Sequence, residues 1–122
     1  MSKAIQAINT MISNQDKISD VRKVNNSYIF LYNQKYVWEI WYYEEGDVYS
    51  VSFYPEIKKV IDVVNVIDNL TGINFITYNS KDFGTKEAYE TFIELYRVVK
   101  EKLFGIDKVL DDIIGDDEEV PF

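Results

Sequence analysis

The spacing of apolar residues changes several times along the chain, and each change marks an element. Ile5, Ile8, Met11 and Ile12 recur at helical spacing behind Ser2, whose side chain suits an N-cap, so a helix is expected over residues 3–13. Ser13-Asn14-Gln15-Asp16 ends it. The pattern then turns to strands separated by turn residues. Residues 21–24 and 27–32 flank Asn25-Asn26, a two-residue hairpin turn; residues 36–43 follow Asn33-Gln34, and residues 48–54 follow Glu44-Glu45-Gly46-Asp47. This predicts a four-stranded antiparallel meander.

Pro55-Glu56 closes the meander and suits the first turn of a helix, with φ fixed and a carboxylate near the N-terminus. Ile57, Val60, Ile61, Val64 and Ile67 continue at helical spacing, but the β-branched richness of residues 57–68 leaves strand and helix both open. Residues 73–78 read as a fifth strand. Thr85 caps the clearest helix, in which Ala88, Phe92, Leu95, Tyr96, Val99 and Leu103 form one apolar stripe and Gly105 is the stop. A short amphipathic turn over 108–114 ends at Gly115. The fold class expected is α+β: an antiparallel meander sheet of four to five strands, with an N-terminal helix and a long C-terminal helix, 86–104, packed on it. The division expected is one domain over 1–115 and a disordered acidic tail over 116–122.

Composition narrows the function. The chain has 122 residues, neither histidine nor cysteine, and five glycines. The usual general base, the usual nitrogen and thiolate metal ligands and a glycine-rich phosphate loop are thereby excluded. Asp111 and Asp112 are adjacent and do not share a helix face. Glu44, Glu45 and Asp47 around Gly46 read as a solvated turn rather than a cation site. The expectation is a non-enzyme with no cofactor and no metal. Without an apolar span or a signal peptide, a cytoplasmic protein that does not enter membranes is the simplest reading.

Charge is divided unevenly. All 13 basic residues and 15 of the 21 acidic ones lie in residues 1–110, so the body is nearly neutral while the net charge of the chain is −8. Asp111, Asp112, Asp116, Asp117, Glu118 and Glu119 carry the remainder.

Aromatic residues are 16% of the chain, and the meander concentrates them. In the third strand Tyr36, Trp38, Ile40 and Tyr42 share one face, and Val37, Glu39, Trp41 and Tyr43 the other. Glu39 marks the second face as the wetter one. Tyr49, Val51 and Phe53 of the next strand then point to the core, and Tyr54 joins the wet face. Trp41, Tyr43 and Tyr54, edged by Arg22, Lys23 and Lys35, would make a platform on which bases of a single strand stack while cations follow its backbone. The competing reading is that helices cover this face too and the rings are plain core.

The chain closes with Asp116-Asp117-Glu118-Glu119-Val120-Pro121-Phe122: four carboxylates running into a short apolar tip. This run resembles the C-terminal tip of bacterial single-stranded DNA-binding proteins, the SSB family. There the tip is not the DNA-binding part but a docking peptide recognised by replication, repair and recombination enzymes. The resemblance implies that the ring of Phe122 enters an apolar pocket while a basic residue of the partner pairs with the terminal carboxylate, and that Pro121 lowers the ordering cost. It covers about seven residues, and the body departs from the family's OB barrel. Joined to the aromatic platform, it suggests a single-stranded DNA-binding protein, of a size that suits a phage or mobile element, whose tail recruits host replication and repair proteins with an SSB-tip pocket. The alternative is an inhibitor or adaptor that binds no DNA and mimics the tip, or DNA itself, to engage host proteins. A homo-oligomer is left open.

Overall fold

A computed structural model describes residues 2–118, with side chains through Gly115. The first helix, α1, spans Lys3–Ser13, and the Ser2 hydroxyl accepts from the Ala4 amide at 3.0 Å. After one tight 3-10 turn come β1 (Ile18–Val24), β2 (Ser27–Tyr32), β3 (Tyr36–Tyr43) and β4 (Val48–Tyr54). The turns between them use left-handed backbone at Asn25, Asn33, Gln34 and Asp47 (φ 50–58°), a conformation that Asn and Asp tolerate better than most side chains. β1 begins three residues earlier than the pattern suggested. It carries an irregularity between Ser19 and Arg22, where Asp20 adopts φ 47° and interrupts the alternation.

A short helix, α2 (Val60–Val64), and a series of turns lead to β5 (Ile76–Asn79). The five strands lie in chain order, every neighbouring pair antiparallel. β5 is shorter and starts later than expected from residues 73–78. It is tied to β4 by side chains as well as backbone: the Ser50 hydroxyl donates to Asn79 Oδ1, and Ser52 and Thr77 hydroxyls bond each other, both at 2.6 Å.

The long helix α3 spans Lys86–Phe104, capped by Thr85, whose hydroxyl accepts from the Ala88 amide at 3.1 Å. It ends at Gly105 in the left-handed conformation (φ 62°), which only glycine adopts without penalty. The last helix, α4, runs from Ile106 to Glu118. The short amphipathic turn over 108–114 was expected to stop at Gly115. Instead Gly115 lacks the left-handed backbone of Gly105, and Asp116, Asp117 and Glu118 continue the helix. Glu119, Val120, Pro121 and Phe122 lie outside the described residues.

Two cores sit on opposite faces of the sheet. On one face, Ile5, Ile8 and Met11 of α1 and Phe92, Leu95 and Val99 of α3 pack against Tyr28, Phe30, Ile40 and Val51. On the other, Val60 and Val63 of α2 cover Ile29, Val37 and Tyr54, with Ile57, Ile67 and Leu70 packed around them. The 57–68 segment, open between helix and strand in the sequence, is thus a short helix followed by turns that roof one end of the second face. Its β-branched residues serve burial rather than strand pairing.

Candidate nucleic-acid interface and docking segment

The expected stacking platform occupies the second sheet face, and the register decides which of its members meet. Trp41 stands between Ser27 and Ser50, and Tyr43 opposite Val48 beside the β3–β4 turn. Trp41 is partly buried; Tyr43 is 55% exposed, and its hydroxyl donates to Glu45 Oε2 at 2.9 Å.

Tyr54 is not part of that surface. It is 1% exposed, its ring lies in the core under α2, and its hydroxyl donates to Glu39 Oε1 at 2.6 Å. Burial first, and then that bond to the carboxylate, push the phenol well above the ordinary tyrosine range. Glu39 was the residue that marked this face as wet, yet it too is buried and accepts from the Tyr54 hydroxyl. The 57–68 segment supplies the cover that turns the expected surface into core here.

The cations also fail to converge. Arg22 shares the second face, in one row with Ile29, Glu39 and Ser52, but its Nε is paired with Asp20 Oδ1 at 3.0 Å. Lys23 falls on the opposite face, in register with Tyr28, with its ammonium 5.9 Å from that ring's centre. Lys35 sits in the β2–β3 turn, 5.2 Å from the Tyr36 ring. Eight residues along a strand at the usual rise put it roughly 25 Å from Tyr43. The six residues are spread over two faces and two ends of the sheet; only Lys23 and Tyr43 meet, at a cavity of about 340 Å³ that Glu44 and Glu45 also line.

Sequence reasoning missed a cluster of tyrosines on the first face. The hydroxyls of Tyr42 and Tyr89 both donate to Asp47 Oδ1, at 2.9 and 2.7 Å. The Tyr49 ring is 4.5 Å from Tyr42, 5.8 Å from Tyr89 and 5.3 Å from Tyr96. The bond from Tyr89, and then that from Tyr42, hold the Asp47 carboxyl below its usual range, while the bond to Asp47 pushes the Tyr89 phenol up to about 12. Lys81 Nζ donates to the Gly46 carbonyl at 2.6 Å and ties the same turn to the segment before α3. The Tyr42–Asp47 pair spans one hairpin and was legible in principle. Tyr89 lies 42 residues from Asp47, and no local spacing announces it.

A second aromatic feature lies where α1 crosses the sheet. Met11, Tyr32, Tyr36, Trp38 and Phe53 line an apolar groove of about 330 Å³, and the Trp38 indole nitrogen is buried without a hydrogen-bond partner. Among the described residues no three acidic side chains converge as metal ligands, and no helix is long and apolar enough to cross a membrane.

Of the docking segment, Asp116, Asp117 and Glu118 lie on α4, and Glu119, Val120, Pro121 and Phe122 fall outside the described residues. No protein-family model, curated protein or solved structure matches the chain.

Proposed function

We propose that the protein is an adaptor or inhibitor that engages other proteins through its acidic C-terminal segment and does not depend on DNA binding. The observation that carries this reading is the separation of charge from the folded body. The expected DNA-binding residues Arg22, Lys23 and Lys35 are scattered, with Arg22 already ion-paired, so no cationic track accompanies the rings. Single-strand binding depends on such a track as much as on stacking. Six carboxylates between Asp111 and Glu119 instead form one acidic stretch, carried on and beyond α4 and leading to Val120-Pro121-Phe122. The resemblance of that stretch to the SSB tip makes host replication and repair proteins with an SSB-tip pocket the natural partners.

The test is displacement of a fluorescent SSB-tip peptide from a purified tip receptor. The intact protein competes and the Phe122→Ala variant competes ten- to more than a hundredfold less well, since burying a phenylalanine is worth about 1.5–3 kcal/mol. Equal competition by both proteins, or none by either, would refute the reading. Single-strand binding by the sheet is the second reading. Trp41 and the exposed Tyr43, which share the second face, favour it.

A further inference from the structure

The described residues of α4 leave an apolar stripe uncovered. Val109, Leu110, Ile113 and Ile114 are 46%, 48%, 60% and 58% exposed, whereas the apolar stripe of α3 is mostly buried. At about 100° per residue these four side chains, with Ile106, fall on one contiguous side of the helix. The left-handed turn at Gly105 ends α3 and sends α4 off in its own direction, so its contacts with the body are chiefly with the end of α3. A 13-residue helix is marginal alone and gains its stability by packing an apolar face.

Charge decides what packs there. Asp107 and Asp111 border one side of the stripe and Asp112 the other, and Lys108 lies behind. From Asp107 to Glu119 the chain has seven carboxylates against one cation, Lys108. A second copy docking stripe to stripe would bring two acidic borders together at the 8–10 Å separation usual of packed helices, where like charges repel. Anionic lipid and nucleic acid are repelled in the same way. A protein groove rimmed by lysine and arginine is attracted.

We propose that α4 is a helix-in-groove ligand, its apolar stripe seated in a groove of a protein partner whose rim is basic. The inference rests on the reading of the C-terminal segment as a docking element and adds to it a second, helical contact.

The experiment measures direct binding of the labelled full-length protein to a purified SSB-tip receptor. Three variants are compared with it: Leu110→Ser/Ile113→Ser, Asp111→Asn/Asp112→Asn, and Phe122→Ala. Both serine positions are exposed, so circular dichroism of the body should not change. The serine variant is expected to bind at least tenfold more weakly. The asparagine variant is expected to bind more weakly at low salt and to converge with the parent at high salt. Loss with the serine variant but not with Phe122→Ala upholds α4 and overturns the tip reading. Loss with Phe122→Ala alone upholds the tip and overturns the α4 contact. No binding by the parent overturns both. Sedimentation showing a dimer that the serine variant dissociates, or binding to phosphatidylserine vesicles that it abolishes, also overturns the proposal.

Discussion

The Tyr54 hydroxyl donates to Glu39 Oε1 across 2.6 Å within the core that α2 covers. A carboxylate 6% exposed is thereby held beneath a helix with its proton donor on the neighbouring strand. Tyr54→Phe removes the donor and keeps the ring. It should cost about 1–3 kcal/mol, the price of leaving a buried acceptor unsatisfied. Tyr54→Phe/Glu39→Leu removes both partners and should recover much of that loss. Urea unfolding of the three proteins checks both expectations.

The same pair sets an alkaline limit. The Tyr54 phenol is raised in the folded state, so folding favours its neutral form. Its contribution is complete below the unfolded tyrosine value of about 10 and falls as pH rises above it. Stability followed by circular dichroism should drop above pH ~10, with tyrosinate absorbance appearing as the protein unfolds. Tyr54→Phe should show a shallower fall.

Asp47 gives an opposite dependence at the acid end. Its carboxyl is lowered by the two tyrosine donors, so its contribution is present above the unfolded value of about 4 and is lost as pH falls below it. Asp47→Asn suits the left-handed backbone at this position (φ 50°) and removes only the charge. The variant should lose this acid sensitivity, and the Tyr89 phenol should fall from about 12 toward 10 in a spectrophotometric titration.

Removal of residues 106–122 should leave the body folded, with a melting temperature within about 2 °C of the parent, because the apolar side chains of α4 are mostly exposed and neither core includes them. A larger fall in a thermal melt would mean that α4 packs on the body in solution.

Oligo-dT at tens of micromolar and low salt should leave tryptophan fluorescence unchanged. Trp41 is partly buried, and the cations meant to guide a strand past it lie elsewhere. Salt-sensitive quenching would restore the single-strand reading.

Much of the fold was legible because its boundaries are written in local chemistry. Ser2 and Thr85 cap α1 and α3, Asn25, Asn33 and Asp47 take left-handed turn backbone, and Gly105 ends α3. β2, β3, β4 and α3 fall where these residues place them. The second core was less legible. Val60 and Val63 are separated from Tyr54 only by a proline-led turn, but nothing in their spacing says which sheet face they will cover. That choice buried Tyr54 and Glu39 and removed one ring from the expected platform. Alternation placed Trp41 and Tyr43 together correctly, yet the same alternation puts Arg22 and Lys23, adjacent in β1, on opposite faces, so the two cannot both edge one platform. The helix through Gly115 was missed because glycine was read as a stop without the left-handed backbone that makes it one.

The chain-order arrangement of the five strands has a kinetic consequence. From β1 to β4 each strand pairs with the one just before it across a short turn, so these hairpins can close with little entropic cost, whereas β5 closes over the longer connection through α2. The main distant closure on the helical side is α1 against α3, where Thr91 also approaches Asn9, 82 residues away. The sheet can therefore assemble stepwise, and the docking of α1 onto α3 is the event that must span nearly the whole body. Folding speed should accordingly respond more to residues that join these two helices than to those in any single hairpin turn.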